Sequence, residues 1–524
     1  MLDAVIIGGG HNGLVCAFYL ARRGLKVRIH EAREIIGGAA VTEEFAPGFR
    51  NSTASYTVSL LQPKIIREME LIRRGYRVIE RPLSNFLPLS TQPGEFLKLG
   101  GGLEATQAGI ARYSEKDAKA LPEWFAMLGR VADVLRELAL KIPPDAEGGL
   151  PALVEAALQA RALARLPLAA KRDVLALFTR SASEVLDDWF ESDPVKAAFG
   201  FDAVVGNYAS PEEPGSAYVL LHHVFGEVNG KRGAWGHVLG GMGQITQLMG
   251  EAARDAGVEI VIGTPVEQVL VENGRATGIR LAGGEIVGAK RVIANLGPKP
   301  LFGRLVPREA LPADFALAMD GFRAGSGSLR MNVALAGLPR FACLPQAGDH
   351  LGAGIILAPS LAYMDRAYRD AREHGFSKRP VVEMLIPSLV DDSLAPPGQH
   401  VASLFCQHCD PDLPEAREGE AVEAVFDTIE QFAPGFRDLV LHQQVHTPRA
   451  LEAKFDLARG DIFHGRMSLD QLWAARPVLG AGSYRTPVDG LWLCGAGTHP
   501  GGGVTGAPGH NCARAILRSR RFAF

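Results

Sequence analysis

Residues 3–13 read DAVIIGGGHNG, and this stretch decides the fold. The first five residues are a short apolar run, as expected of a buried parallel strand. The run leads into a G-x-G-x-x-G turn. In that turn Gly8 allows a tight bend, Gly10 lets the backbone approach a pyrophosphate, and Gly13 lets the next helix pack on the strand. Apolar residues at helical spacing follow as far as Gly24, so the pattern predicts a dinucleotide-binding strand–turn–helix.

The next predicted strand, residues 26–31, ends in Glu31. An acid at this place can accept hydrogen bonds from the ribose hydroxyls of an adenosine. Free N–H groups and a partial positive charge at the helix N-terminus favour the phosphates. The complete pattern predicts a bound dinucleotide without distinguishing FAD from NAD.

A second glycine motif favours FAD. Gly37 and Gly38 resemble the second glycine motif of the large FAD superfamily that contains amine oxidases and phytoene desaturases. Many members have Arg directly after this doublet, near the flavin phosphates. This chain has Ala39, so one charge is missing while the backbone contacts remain. The resemblance also places residues 51–56 close to the flavin, although the same residues fit an ordinary polar loop equally well.

The C-terminal end repeats the strand–loop–helix design. A buried-type strand at 490–494 runs into a glycine-dense loop at 495–510, and a helix over about 511–518 follows. Only glycine lets backbone amides approach a ring or a phosphate so closely. His499 in this loop is a weak catalytic candidate, because histidine titrates near neutral pH. We favour the alternative that His499 orders the loop.

The loop GAGTHPGGG at 495–503 closely resembles the C-terminal signature of the phytoene desaturase family. Residues 11–13 and 233–243 narrow the resemblance to the subgroup with flavin-type β-carotene ketolases and the animal pyridine nucleotide-disulfide oxidoreductase domain-containing protein 2. The resemblance covers nearly the whole chain. The motifs and the resemblance together imply FAD contacts at Gly8, Gly10, His11, Asn12, Gly13, Glu31, Ala32, Gly38, Ala39, Ala40, Ser55, Val266, Asn295, Gly495, Gly503, Val504 and Gly506.

The implied fold is α/β, with a discontinuous Rossmann-like FAD-binding domain and a mixed-sheet substrate domain with a helical insert. We expect the FAD-binding domain at 1–75, 235–300 and 480–524, and the substrate domain at 76–234 and 301–479, with the insert at about 114–204. The insert is expected to form the wall or lid of the substrate cavity. One face of its long helix is predicted to carry Leu121, Phe125, Leu128, Val131, Leu135 and Leu138, and Pro151 is predicted to start another helix.

Composition excludes several classes of protein. A chain of 524 residues is expected to form two or more domains. A formal net charge of -3, with no basic block before the end, argues against a nucleic-acid partner. No stretch is apolar enough to span a bilayer and no leader is recognisable, so we expect a cytoplasmic protein. The basic and aromatic tail at 518–524 is a candidate peripheral membrane contact, or equally a solvated tail.

No metal site is predicted. Cys406 and Cys409 form a CxxC on a strand-like segment, where residues three apart point to opposite faces, so we interpret both as structural. The adjacent His222 and His223 do not share a face and have no acidic or histidine partner at ligand spacing.

The predicted activity is FAD-dependent oxidoreduction, in which the flavin takes a hydride from a C–H of an apolar, carotenoid- or isoprenoid-like small molecule. Two alternatives keep the FAD: ketolation or hydroxylation of a carotenoid-like substrate, or isomerisation. A third is a non-catalytic, flavin-bearing regulatory protein. Because the sequence has one dinucleotide fingerprint, the electron acceptor is expected to be oxygen, a quinone or another diffusible partner.

Overall fold

A computed structural model describes residues 1–146, 148–221 and 224–521, so the His222–His223 pair lies outside the described residues. The strands in chain order are β1 Ala4–Ile7, β2 Val27–His30, β3 Thr42–Ala46, β4 Phe49–Ser52, β5 Val78–Glu80, β6 Asn85–Pro88, β7 Phe96–Leu99, β8 Glu227–Val228, β9 Lys231–Arg232, β10 Gly236–Val238, β11 Glu259–Val261, β12 Val266–Glu272, β13 Arg275–Leu281, β14 Ile286–Gly288, β15 Val292–Ala294, β16 Ser328–Leu335, β17 Gly354–Leu357, β18 Phe376–Leu385, β19 His400–Cys409, β20 Val440–His446 and β21 Leu491–Leu493.

The helices in chain order are α1 His11–Ala21, α2 Pro63–Glu68, α3 Leu103–Ala111, α4 Glu115–Ala139, α5 Gly149–Ala164, α6 Leu168–Thr179, α7 Ala182–Trp189, α8 Asp193–Val204, α9 Ala217–Leu220, α10 Gly243–Asp255, α11 Pro298–Pro300, α12 Ala313–Asp320, α13 Leu361–His374, α14 Glu418–Phe432, α15 Phe436–Leu439, α16 Pro448–Phe455 and α17 Ala507–Arg521. None of the helices within the described residues is both long enough and apolar enough to cross a membrane.

A five-stranded parallel sheet has the order β11-β2-β1-β15-β21. All four residues of β1 are buried, as its apolar run predicts. The strands come from residues 4–30, 259–294 and 491–493, so three distant stretches of the chain build one sheet. Helix α1 packs against both α10 and α17. This is the predicted Rossmann-like layer.

Two glycines allow this layer to close. A Cβ on Gly13 would lie 2.4 Å from the Gly8 carbonyl oxygen, so α1 can rest on the turn only without a side chain there. A Cβ on Gly509 would lie 2.1 Å from the Asn12 carbonyl oxygen, where α17 crosses α1. Because real Cβ atoms do not approach so closely, both positions require glycine. The N-terminal turn and the C-terminal helix are thereby held together.

A seven-stranded mixed sheet has the order β20-β16-β19-β18-β17-β6-β7. Strands β17 and β6 are parallel and the other neighbours are antiparallel. Helices α13 and α14 pack on β18, and helices α4 to α8 form the insert. The predicted α/β class, with a mixed sheet and a helical insert, is confirmed, and the precise domain boundaries remain a prediction. The cysteines of β19, Cys406 and Cys409, are buried and free.

The predicted core face of α4 is partly wrong. The structure buries Trp124 and Met127, whereas Phe125 is 44% exposed. Phe125 lines a cavity instead. Apolar spacing along a helix has the same period whether the side chains face a packed core or a cavity, so it does not separate the two.

Two helix starts also differ from the prediction. Helix α5 begins at Gly149, which makes Pro151 its third residue. Helix α17 begins at Ala507 and not near 511, with Pro508 in its first turn. Proline is tolerated in the first turn because the N–H groups there have no partner within the helix.

A buried hydrogen-bonded carboxylate joins the segment before α10 to the turn after β18. The Asp391 carboxylate lies 2.9 Å from His237 Nε2 and accepts hydrogen bonds from the Gly240 N–H at 2.7 Å and the Ser393 hydroxyl at 2.6 Å. Burial alone would raise the pKa of Asp391, but the hydrogen bonds from His237, Ser393 and Gly240 outweigh it and lower the pKa to about 2. The folded protein therefore binds this proton more weakly than the unfolded chain does.

We expect Asp391→Asn to lower the free energy of unfolding by about 1–3 kcal/mol near neutral pH, since the buried partners lose a charged acceptor. The contribution of Asp391 to the free energy of unfolding is fully present above the usual pKa of 3.8, and it is lost as the pH falls toward about 2. Urea unfolding at pH 7 and at lower pH measures both effects. Asp392→Asn at the exposed neighbour is the control. Equal loss of stability in the two variants would contradict this account.

Candidate flavin and substrate site

A single cavity of about 1530 Å³ lies between the parallel sheet, the mixed sheet and the helical insert. This exceeds the range of about 300–1,000 Å³ that is typical of small-molecule pockets, so the cavity has room for a dinucleotide and a substrate. Most of the predicted FAD contacts line it: Gly8, Gly10, His11, Asn12, Glu31, Ala32, Gly38, Ala39, Ala40, Ser55, Val266, Asn295, Gly503 and Val504.

Three predicted contact residues, Gly13, Gly495 and Gly506, are not among the described residues that line the cavity. These three glycines are needed for close packing. A Cβ on Gly495 would lie 2.6 Å from the Leu296 carbonyl oxygen, and one on Gly506 would lie 2.6 Å from Ile65 Cδ1. They hold the loops that contact the cavity and do not line it themselves.

Glu31 organises the first glycine turn. Its carboxylate accepts hydrogen bonds from the Gly9 N–H at 2.7 Å and the Arg33 N–H at 2.9 Å. Gly8 has φ +94°, a conformation that favours glycine. Gly10 caps α1 without any side-chain hydrogen bond, so the first N–H groups of the helix remain open to a phosphate.

The glycine doublet lies directly against this turn. The Gly37 N–H donates to the Gly9 carbonyl at 2.9 Å, and a Cβ on Gly38 would lie 3.3 Å from Gly10 Cα. Arg33 also lines the cavity here, with its Nη2 donating to Glu43 at 2.5 Å. Sequence reasoning missed Arg33, which supplies a cation beside the doublet although Ala39 follows it.

Several polar atoms at the turn fit a bound dinucleotide. His11 Nε2, Asn12 Oδ1 and Arg33 Nη1 are buried with no hydrogen-bond partner within the described residues. Burial lowers the pKa of His11 to about 4, so its imidazole is neutral, and a hydrogen bond joins it to the Gly503 backbone. Buried polar groups normally have partners. A ligand with phosphate, hydroxyl and ring nitrogen groups would supply them, so the residues fit FAD.

His499 is a buried residue of the C-terminal loop and is not among the described residues that line the cavity. Its Nε2 lies 3.1 Å from the Leu138 carbonyl, its ring packs edge-on against Trp473, and its own carbonyl accepts from Tyr484 at 2.6 Å. Burial lowers the pKa of His499 to about 3. These contacts give a neutral imidazole that orders the loop.

The helical insert provides an apolar wall. Pro122, Phe125 and Gly129 lie on one face of α4, at a spacing of three and four residues, and all line the cavity. Phe199 of α8 faces them, with its ring centroid 6.1 Å from that of Phe125. The insert therefore forms part of the wall of this cavity, and its role toward a substrate stays a prediction.

The mixed sheet provides a polar strip opposite. Arg330 of β16 and Glu383 of β18 both pair with Phe405 of β19, so the three side chains lie in a row on one face. Tyr56 covers this row: its hydroxyl donates to Glu383 at 2.5 Å and its ring lies 4.3 Å from the Arg330 guanidinium. Arg330 also donates to the Ala54 carbonyl at 3.1 Å. The strip thus fixes residues 54–56 at the cavity.

Comparison with protein families agrees with this site. The family model for flavin-containing amine oxidoreductases matches residues 13–517. The chain belongs to the flavin-containing amine oxidoreductase family. It is therefore an FAD-dependent oxidoreductase, as the glycine motifs predict, and the predicted cofactor is confirmed.

Relatives within this family confirm the resemblance to the phytoene desaturase group. Pyridine nucleotide-disulfide oxidoreductase domain-containing protein 2 of Rattus norvegicus is 41% identical, over 98% of this chain and 93% of its own length. Hydroxyneurosporene desaturase of Cereibacter sphaeroides is 26% identical, over 98% of this chain and 97% of its own length. All-trans-zeta-carotene desaturase of Myxococcus xanthus is 25% identical, over 95% of this chain and 90% of its own length.

The fold of this family member is found among solved structures. An oxidoreductase from Methanosarcina mazei superposes with a TM-score of 0.60 at 18% identity, covering 98% of this chain and 99% of that one. This similarity supports the architecture of two sheets.

Sequence reasoning missed two charged residues at this end of the cavity: Glu383, which lines it, and Arg330, which lies behind Tyr56 in the mixed sheet. Glu383 can be recognised from the sequence, because it is the only charged residue in the apolar run at 381–386. Arg330 stands alone in the same way between Leu329 and Met331. A single ionisable residue inside a buried strand needs a partner or a function.

Proposed function

We propose that the chain is an FAD-dependent dehydrogenase or desaturase that acts on a C–H bond of an apolar, isoprenoid-like substrate. The observation that carries this proposal is the apolar wall of Pro122, Phe125, Gly129 and Phe199 facing the cavity from the insert. An aliphatic chain gains free energy by leaving water for such a wall. The names of the hydroxyneurosporene and zeta-carotene desaturase relatives also favour an apolar isoprenoid.

The apolar wall and Arg81 disfavour an amine substrate. Arg81 lines the cavity near this wall, whereas Arg330 is buried in the mixed sheet behind Tyr56. An ammonium group at the apolar wall would be repelled by Arg81 and would lose its hydration on entering. We therefore infer that, although the family is described by amine oxidoreduction, this member acts on carbon–hydrogen bonds without an amine.

In the proposed reaction, FAD supplies the two-electron acceptor. The chain's own residues orient both partners. Glu31 and the glycine turn would hold one end of the cofactor, and residues 54–56, which Arg330 holds in place, line the cavity where the rest of it would lie. The apolar wall excludes water and places the substrate chain, which is the orientation that such chemistry needs most.

Product mass tests the reaction. The FAD-loaded protein is incubated in air with isoprenoid hydrocarbons, alcohols and acids, and the products are analysed by mass spectrometry. The proposal expects loss of two hydrogens. Gain of oxygen would favour ketolation or hydroxylation, and an unchanged mass with an altered double bond would favour isomerisation. Either result would overturn dehydrogenation.

We also propose that the outer face of α5 docks on an anionic bilayer, where an apolar substrate would be found. Leu150, Leu153, Val154 and Leu158 share that face and are 74%, 67%, 52% and 61% exposed. Such an apolar patch on a protein surface generally marks a binding site. The exposed cations Arg161 of α5, Arg165 directly after it, and Lys171 and Arg172 of α6 follow this face in the sequence. Leucines flanked by cations suit the interface of acidic lipids.

The predicted membrane contact of the tail stays a prediction, since residues 522–524 lie outside the described part of the chain. Arg518, near the end of α17, pairs with Glu155 of α5 at 3.3 Å. The start of the tail and the apolar face of α5 are therefore neighbours.

We expect Leu153→Glu/Leu158→Glu to reduce binding to phosphatidylglycerol vesicles at least tenfold, because each leucine contributes up to about 1.5–3 kcal/mol when buried. Sedimentation with vesicles at low salt measures the bound fraction. Leu317→Glu, at a position 71% exposed on α12, is the matched control. Unchanged binding of the double variant, or no binding of the parent protein, would contradict the docking face.

A further inference from the structure

Five polar side chains line one part of the cavity: Tyr56, Thr57, Arg81, Asp202 and Glu383, here called the polar cluster. They come from the segment after β4, the end of β5, helix α8 and strand β18. None of them belongs to the glycine loops that fit FAD. Asp202 lies one helical turn from Phe199, so the cluster adjoins the apolar wall.

The cluster is rich in hydrogen-bond donors. Arg81 has five N–H donors, one of which reaches Thr57 Oγ1 from Nη2 at 2.5 Å. The Glu383 carboxylate accepts from Tyr56. A Cβ on Gly354 would lie 2.9 Å from Glu383 Oε1 and 3.3 Å from Arg81 Nη1, so both groups converge where this residue has no side chain. The Arg81 guanidinium and Glu383 Oε1 therefore both lie against the Gly354 backbone, and Tyr56 donates to the other carboxylate oxygen, Glu383 Oε2.

Arg81 is the cation of the cluster, and it lines the cavity. Arg330 is buried behind Tyr56, where its guanidinium donates to the Ala54 and Leu404 carbonyls and to the Ser403 hydroxyl. Burial, and next the charge of Glu383, raises the pKa of Asp202 well above its usual value, which favours the neutral acid. An anionic ligand at this end of the cavity would be attracted by Arg81 and would accept hydrogen bonds from it.

We propose that the polar cluster binds the carboxylate of an apolar acid, with Arg81 as its main donor. A planar guanidinium matches a carboxylate through two parallel hydrogen bonds. The apolar chain of such a ligand would lie along Phe125 and Phe199. This inference rests on the proposed function only in placing the substrate chain at the apolar wall, and it narrows the substrate to an isoprenoid or similar acid.

Three compounds with one carbon skeleton test the inference: farnesoic acid, farnesol and farnesene. Equilibrium dialysis with FAD-loaded protein measures the affinity for each without requiring turnover. We expect the acid to bind at least tenfold more tightly than the alcohol and the hydrocarbon. Equal affinity for the acid and the hydrocarbon would overturn the inference.

Variants of Arg81 identify the donor. Arg81→Met keeps an unbranched apolar side chain and removes the charge, so we expect at least a tenfold loss of acid affinity, unchanged farnesene affinity and unchanged FAD content. Arg81→Lys should recover part of the loss. Arg77→Met, at a nearby exposed position, is the control. Loss of FAD from Arg81→Met would show that Arg81 serves the cofactor, and unchanged acid affinity would remove it as the donor; both overturn the proposal.

The two proposals fail separately in these measurements. If the acid binds through Arg81 but no isoprenoid reduces the flavin, the carboxylate site stands and the dehydrogenase fails. If isoprenoids reduce the flavin with no preference for the acid, the dehydrogenase stands and the carboxylate site fails.

Discussion

Gly13→Ala is expected to bind FAD much more weakly than the parent protein does. The added Cβ would lie 2.4 Å from the Gly8 carbonyl oxygen and 2.9 Å from Asn295 Nδ2. To relieve these contacts α1 must move off the turn, which displaces the N–H groups that would bind the phosphates. Overpacking of this kind costs about 1–3 kcal/mol, so the FAD affinity should fall about tenfold or more. Titration of the apoprotein with FAD measures the change.

Gly419→Ala is the matched control. Gly419 lies near the start of α14, and a Cβ there meets no atom within 4 Å. Circular dichroism and the melting temperature show whether each variant is folded. A second variant, Glu31→Gln, replaces the acceptor of the Gly9 and Arg33 N–H groups without adding bulk, and it should also lose FAD. Stoichiometric FAD with parental affinity in a folded Gly13→Ala protein would contradict this account of the turn.

Gly129→Phe is expected to abolish turnover of long apolar substrates while FAD stays bound. Gly129 lines the cavity on α4, and a Cβ there meets no protein atom within 4 Å, so a larger side chain extends into the space along the apolar wall. The ring then occupies volume that the substrate needs, and kcat/KM should fall at least tenfold. The flavin spectrum and a steady-state assay on the best substrate of the panel measure the two effects.

A shorter substrate refines this test. Because the phenylalanine ring fills only part of the wall, kcat/KM should fall less for a short isoprenoid than for a long one. Gly129→Ala adds one methyl group and should change either value by less than the phenylalanine does. Equal kcat/KM for long substrates in the parent and in Gly129→Phe would show that the apolar wall does not hold the substrate.

The cofactor side of the cavity could be predicted from sequence because short motifs determine it. Gly8 and Gly10 act through their backbone and Glu31 through its carboxylate, all within one strand–turn–helix–strand unit, so their roles follow from their spacing. The resemblance added the distant positions Val266 and Gly503, which local pattern alone does not place at one site. Both line the cavity in the structure.

The substrate side could not be predicted, because it depends on packing between distant elements. Tyr56 contacts Glu383, which lies 327 residues away in the sequence, and no local sequence pattern predicts that contact. Phe125 fits the period of a core residue and lines the cavity instead. Periodicity states which side chains share a face, whereas the tertiary fold decides what that face contacts.

The most direct test of the central claim is anaerobic reduction of the bound FAD by an apolar substrate. FAD-loaded protein is mixed, without oxygen, with the isoprenoid acid, alcohol and hydrocarbon and, in parallel, with putrescine as an amine. The account predicts that an isoprenoid bleaches the oxidised flavin spectrum and yields a product lighter by two hydrogens, while the amine does not. Bleaching by the amine alone, or by none of these compounds while dithionite still reduces the flavin, would contradict it.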